Sequence, residues 1–439
     1  MSTAGTPRRV LHTLPDLRVG GGTQLVANWI RLLDPARYTG VLCHVGDAGN
    51  TYEQFESLGI PLVGLGHSPA RVPLSLTKLV RLIRAREIDI IHVHSKLDGR
   101  YAQSAGLICG IPVVMHLHGY WPKSARVGSA KNEQETSTPA RRHDSGRVLH
   151  NVLKRARAAR GTAWHRATVA RFIAVSAAAG AQAELAAPVT LIYNGVDTEL
   201  FDRSSARERL EKRSELGLEP DDAVIISIGQ FVPRKQLDLL VPVLRRVREA
   251  NSHAKLVLVG DGPQRAQIER DVDRAGLGDH VRLVGARLDV PELLSMADVF
   301  VFPSRLETFG LVVVEAMASA KPIVVFETAP FTEILDNEST GMLVPRNDVE
   351  EMARQTSRLL AQPQLARQLG NRAQHVARDR FDVRTTVAAL QDLYDDVVRD
   401  HHRGAPSPSN TTSSSFGSAN RSASTARHRS GMAGGAGRP

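Results

Sequence analysis

The chain has 439 residues, 42% of them hydrophobic, and a formal net charge of +10. That length exceeds one ordinary hydrophobic core and suits two domains of about 150–200 residues each. The charge is uneven: residues 402–439 contribute +5, residues 141–171 contribute +8, and the remainder sums to −3, which argues against a basic nucleic-acid-binding body.

Aromatic residues make up only 5%, so Val, Leu, Ile and Ala must build the core, as in parallel sheets covered by helices. The two cysteines, Cys43 and Cys109, stand far apart without a CxxC or a His-rich neighbourhood. Neither a disulfide framework nor a structural zinc site is expected, and a reducing compartment is the default. The N-terminus, MSTAGTPRRVLHTLP, has no long apolar run, and no stretch approaches the roughly 20 apolar residues of a membrane span. The expected location is the cytoplasm.

Along the chain, short β-branched runs alternate with helical patterns, the mark of parallel βαβ units. The first half predicts strands at 10–14, 39–45, 61–65, 89–94, 112–118, 171–175 and 189–193, with helices such as 22–33, 74–86 and 99–108 between them. The second half predicts strands at 223–228, 255–259, 281–284, 298–302, 322–326 and 341–344, with helices at 235–249, 263–275, 310–319 and 348–361. The fold class is therefore α/β: two Rossmann-like, doubly wound parallel-sheet domains, 8–196 and 197–384, facing a cleft. A last helix over 385–399 places Val387, Leu390, Tyr394 and Val397 on one face, and is expected to pack back on the first domain. Residues 402–439 collapse to Ser, Gly, Ala, Arg and Thr, a composition expected to stay disordered. The stretch 123–146 reads as a long loop. Residues 147–171 read as a basic amphipathic helix with Leu149, Val152, Leu153 and Trp164 near one face and Lys154, Arg155 and Arg157 near the other. Such a helix either lies on an anionic membrane or packs on the sheet with a solvated basic face.

Chemistry concentrates in PSRLETFGLVVVEAMASAKPIVVF. A strand ends at Pro303, a turn carries Glu307, Thr308, Phe309 and Gly310, and a helix starts near Leu311 with Glu315 in its early turns. Two carboxylates and a helix N-terminus thus lie at the carboxyl edge of a parallel sheet, where open α/β sheets bind ligands. Carboxylates suit ribose and sugar hydroxyls rather than phosphate; taken alone, Glu315 also reads as a surface residue near a helix dipole. In SIGQFVPRKQLDLL, Arg234 and Lys235 follow a strand, where cations can meet a departing diphosphate; a lone lysine there is also an ordinary solvated charge. Gly20, Gly21 and Gly22 link the first strand to the first helix and permit close approach of a ligand. His92 and His94 share one strand face, as do His116 and His118. Paired histidines can hold a metal, but no carboxylate-rich motif accompanies these and no metal or other cofactor is expected.

In this order the motifs resemble the retaining GT-B-fold glycosyltransferases called family 4. The similarity runs over nearly all of 8–400: the glycine loop, His118-Gly119, FIAVS (172–176), YNGVD (193–197), IGQFVPRK (228–235), VGDGP (259–263), VRLVG (281–285) and the carboxylates Glu307 and Glu315. The resemblance implies a nucleotide-diphosphate sugar as donor and a sugar or lipid-linked hydroxyl as acceptor, in polysaccharide or glycolipid synthesis. Glu307 and His118 would lie against the donor sugar, and Phe309, Gly310 and Leu311 would offer backbone N–H groups. Glu315 would hold the ribose, Lys235 the diphosphate, Gly21 and Gly22 its other side, and the backbone near Leu283 the base. Three positions depart from the family pattern: Gln230 stands where an arginine is usual, and Gln236 and Ala320 where glycines are usual. Arg234 is the candidate to replace the missing cation. Another GT-B reaction, such as nucleotide-sugar epimerisation, and a catalytically silent nucleotide-binding protein remain alternatives at this level.

Overall fold

The computed structural model describes residues 6–17, 20–46, 52–56, 59, 61–66, 72–118, 163–165, 167–182, 188–202 and 205–404. The loop expected at 123–146, most of the helix expected at 147–171 and nearly all of 402–439 lie outside the described residues.

Two parallel sheets form the frame. The first has β1 (Arg8–Leu14), β2 (Tyr38–His44), β3 (Leu62–Gly64), β4 (Ile90–Val93), β5 (Val113–Leu117), β6 (Arg171–Ala174) and β7 (Val189–Leu191), in the order β3-β2-β1-β4-β5-β6-β7. The second has β8 (Ala223–Ile228), β9 (Ala254–Val259), β10 (Val281–Leu283), β11 (Val299–Phe302), β12 (Ile323–Phe326) and β13 (Met342–Val344), in the order β10-β9-β8-β11-β12-β13. Each strand falls within or beside the segment its sequence predicts. Buried on both faces, these strands need continuous apolar runs such as AVIISI and VFVF, and that makes them legible. In both sheets the strand order reverses once, between β1 and β4 and between β8 and β11. Those reversals open the crevices where α/β sheets take ligands.

Helices depart from expectation more than strands. The helix expected at 235–249 begins later: Gln236 is left-handed at φ 51°, a 3-10 turn spans Leu237–Leu239, and the α-helix runs Leu240–Ala250. Helices Ala206–Glu215, Val290–Met296 and Pro363–Phe381 come in addition. The first follows the crossing into the second domain, and a capping box starts it, Ser205 and Glu208 each accepting from the other's backbone N–H.

The chain crosses between the domains twice, side by side. Val196 N–H donates to Phe381 at 2.9 Å and Val383 N–H donates back to Val196 at 2.9 Å. The Thr198 hydroxyl bonds the Asp382 carboxylate. After the return, helix Val383–His402 buries Val387, Leu390, Tyr394 and Val397 against the first sheet together with Trp29. Asp395 on this helix takes Arg8, Arg37 and the Tyr38 hydroxyl, so the helix is stitched to β1 and β2 by charge as well as by apolar surface.

Candidate active site

A cavity of about 600 Å3 opens between the carboxyl ends of the two sheets. Gly20, Gly21 and Gln24 line it from the first domain; Gly229, Gln230, Leu311 and Glu315 line it from the second. Gly21 faces the second domain closely, since a side chain there would come within 3.1 Å of Leu311. Gly310 starts the helix Leu311–Ala318 at φ 91°, and a β-carbon on it would lie 2.5 Å from the Phe331 ring, so no other residue fits there.

Glu315, in the second turn of that helix, lines the cavity. Burial raises its carboxyl from 4.5 to about 7, with no cation among the described residues to reverse the effect. A carboxyl of this kind is ready for neutral hydroxyl donors. At the far end the lining comes from Gly260, Asp261, residues 286–288, Val290 and Pro291. Leu283, expected to meet the base, does not line the cavity; its carbonyl accepts from Arg265 at 3.3 Å. The chain turns into the cavity two to three residues later, after Gly285, whose φ of 74° redirects it.

Glu307 and Lys235 meet. The ammonium is bonded to the carboxylate, and both are buried, at 9% and 5% exposure. Ser304 adds a hydrogen bond to Glu307 at 2.9 Å, and Arg234 stands 3.7 Å from it. Lys235 also lies over the Phe302 ring at 4.9 Å. Burial depresses the Lys235 ammonium, with Glu307 opposing the shift and Arg234 adding to it. Two residues given separate tasks by sequence thus form one buried ion pair, 72 positions apart in the chain. Phe309 is buried beside Tyr193 and Phe381. Gly22, Arg234, Lys235, Leu283, Glu307, Phe309, Gly310 and His118 are not in the lining of the cavity, whereas Gly21, Gln230, Leu311 and Glu315 are.

Direct bonds hold the domains together beside the cavity. The Thr308 hydroxyl donates to the His118 carbonyl at 2.8 Å, and the Ser176 hydroxyl donates to the Thr308 carbonyl at 2.6 Å. Glu333 accepts from the N–H groups of Ala177 and Ala178 at 2.8 and 2.7 Å. The loop carrying Glu307 is therefore anchored to the first domain through its neighbour Thr308.

Histidines gather behind this anchor. His92, His94, His116 and His118 are joined by His12 of β1, a lone histidine in VLHTL that strand alternation alone pairs with nothing. Registry sets His12 directly beside His92. His12 Nδ1 faces His94 Nε2 at 3.1 Å, His94 Nδ1 faces His118 Nε2 at 3.2 Å, and His92 Nε2 faces His116 Nδ1 at 3.2 Å. His92 Nδ1 reaches the Tyr394 hydroxyl at 2.6 Å. Trp29 stacks on His92, His116 and His118. Burial holds all five imidazoles neutral: His12 falls to about 3, His118 to about 4, and the others well below the usual range.

Two parallel-sheet domains enclosing a cavity at their switch points, with the carboxyl of Glu315 in its lining, define a GT-B-type protein. Two family models match in succession: Glycosyltransferase Family 4 over residues 19–200 and Glycosyl transferases group 1 over residues 208–376. The lipopolysaccharide core biosynthesis mannosyltransferase LpsB of Rhizobium meliloti is 28% identical over 345 residues, covering 76% of this chain and 90% of that enzyme. The N-acetyl-alpha-D-glucosaminyl L-malate synthase of Bacillus anthracis is 30% identical over 216 residues, covering 49% of this chain and only 56% of that enzyme. Among solved structures, Anabaena HepE in complex with UDP and glucose aligns with TM-score 0.73 at 22% identity, covering 89% of this chain and 100% of that one. The chain belongs to the GT-B-fold glycosyltransferases.

Proposed function

We propose that the protein transfers a hexosyl group, with retention, from a nucleotide-diphosphate sugar to a hydroxyl of a sugar or lipid-linked acceptor in polysaccharide or glycolipid synthesis. The observation that carries this reading is Glu315, a carboxyl with no cation beside it among the described residues, inside a cavity shared by the two domains. Ribose hydroxyls would donate to it. The base would lie toward residues 286–291, and the diphosphate would pass between Gly21 and the helix N-terminus at Leu311.

The reacting sugar would then face Glu307, Lys235 and His118. Transfer breaks the bond from the anomeric carbon to the phosphate oxygen and forms one to the acceptor oxygen on the same face. The acceptor proton passes to the departing phosphate. Lys235, Arg234 and the backbone N–H groups of 309–311 would stabilise the diphosphate as it leaves, so that no metal bridges the phosphates. Preorganised donors of this kind are worth about 3 kcal/mol each. Glu307, already holding Lys235, would release it toward the diphosphate and turn to the sugar hydroxyls. Gln230 lines the cavity where relatives place an arginine, and it would hydrogen-bond a phosphate without offsetting its charge.

HepE was solved with UDP-glucose, and LpsB is a mannosyltransferase; both support a hexose donor. No helix among the described residues is long and apolar enough to cross a membrane, which fits action at the cytoplasmic face, with 147–171 as a candidate contact to anionic lipid. The test is a panel of UDP- and GDP-hexoses, scored by thermal shift, nucleotide release and the anomeric configuration of the product. Stabilisation by one nucleotide and a retained anomer are expected. A product of inverted configuration refutes retention, and a protein indifferent to every nucleotide refutes the donor site.

A further inference from the structure

Five histidines from three adjacent strands share one buried space, and nothing in glycosyl transfer calls for so many. The three strands β1, β4 and β5 lie side by side, and period-two alternation sends His12, His92, His94, His116 and His118 to the same face. Helix Gly21–Leu32 covers them with Trp29, and helix Val383–His402 covers them with Tyr394.

We propose that His94, His116 and His118 form a binding site for one late first-row divalent cation, of the zinc, cobalt or copper class. One ring nitrogen from each lies within 4.8 Å of the others. Around a tetrahedral ion with metal–nitrogen bonds of about 2.05 Å, neighbouring nitrogens stand about 3.3 Å apart. The 3.2 Å between His94 Nδ1 and His118 Nε2 is already close to that edge.

A second observation is independent of the spacing. His116 Nε2 is buried without a hydrogen-bond partner, on a residue only 3% exposed. His12 Nε2 and Trp29 Nε1 are orphaned in the same cluster. Buried polar atoms are seldom left this way, because each has given up its hydrogen bonds to water without replacement. An ion on the Nε2 lone pair of His116 supplies one such replacement.

The surrounding groups suit ligands of this type. A ligating histidine works best when its other nitrogen is held. His94 Nε2 is held by His12, and His116 Nδ1 is held by His92, whose own Nδ1 meets Tyr394. The cluster offers neutral imidazole only, which favours zinc, cobalt or copper over magnesium or calcium. His118, the least buried member, would keep its Nδ1 for a hydrogen bond while Nε2 binds the ion. The ion is thereby a device that fixes the orientation of the His118 ring beside Thr308, separate from the diphosphate.

The experiment uses the full chain, stripped with chelator and titrated with Co(II) alone. The expected result is one equivalent bound with the intense visible bands of a tetrahedral nitrogen site, displaced by one equivalent of Zn(II). Replacement of His116 by Gln should weaken binding at least about tenfold, while a double change of the surface pair, His401→Ala with His402→Ala, leaves it unaltered. Weak octahedral-type bands, or no binding by the wild-type chain, overturn the proposal. So does unchanged affinity in a folded His116→Gln variant. Should that variant not fold, the wild-type spectrum and stoichiometry decide.

Discussion

The buried pair Lys235–Glu307 makes a demanding prediction, since it couples stability to the candidate chemistry. Lys235→Met leaves the Glu307 carboxylate, 5% exposed, without its main partner. Stranding one member of a buried pair costs roughly 3–5 kcal/mol. Ser304 still donates at 2.9 Å and Arg234 can close its 3.7 Å gap, so the loss should sit at the low end, about 3 kcal/mol. Glu307→Gln strands an ammonium that burial already inclines to lose its proton, and should cost less, about 2 kcal/mol. In the double variant no charge is stranded, and the total should fall short of the sum by about 2 kcal/mol. Urea unfolding of the four proteins measures this cycle. Additivity within about 0.5 kcal/mol would refute the coupling. The same proteins test function: turnover should drop at least tenfold in both singles, and the double variant should stay inactive although it regains stability. A double variant that recovers turnover would place the pair outside the chemistry.

Other expectations follow from single residues. Ala320 and Gln236 sit at φ 52° and 51°; relieving left-handed strain of about 1–2 kcal/mol against glycine's greater unfolded freedom, Ala320→Gly and Gln236→Gly should each stabilise by about 1 kcal/mol, read from urea midpoints, and a loss at either site would show that its side chain matters more than its backbone. Glu315 titrates at 4.5 when unfolded and about 7 when folded, so the native state holds the extra proton and stability declines as pH rises across that window, by at most about 3 kcal/mol; Glu315→Gln should remove this slope, and parallel pH profiles would falsify the assignment. Ribose hydroxyls prefer the carboxylate, so nucleotide affinity should rise with pH through about 7 in the wild type and stay flat in Glu315→Gln, by calorimetry. Gln230→Arg adds a cation at the cavity wall and should tighten diphosphate binding; weaker binding would mean that the loop is shaped for the amide. Glu333→Ala removes two bonds between the domains and should raise the donor KM by several-fold with little change in unfolding; an unchanged KM would make this contact incidental to closure.

Strands were legible because a parallel sheet covered on both faces needs short, mostly apolar runs. The helices Ala206–Glu215 and Pro363–Phe381 were harder, although the Ser205–Glu208 capping box was a readable start signal. The resemblance picked out Gln236 and Ala320 as unusual, and only backbone angles reveal why glycine is favoured there: Ala320 closes a Schellman turn, with Ala320 N–H donating to Met317 and Lys321 N–H to Ala316. The Lys235–Glu307 pair and His12 among the other histidines depend on which strands lie side by side, and no local pattern encodes that; the shift of the cavity wall past Leu283 depends on the turn at Gly285.

The helix at 383–402 has a consequence for how the chain is made. The first sheet emerges early from a ribosome, yet the layer covering Trp29, Tyr38 and His92 is translated only after the whole second sheet. Domains usually consolidate in the order of synthesis. Here the second sheet carries its own covering helices through Pro363–Phe381 and can settle while the first still waits. Until synthesis reaches Tyr394, one face of the earlier half stays open, a window in which chaperones and misassembly compete for it.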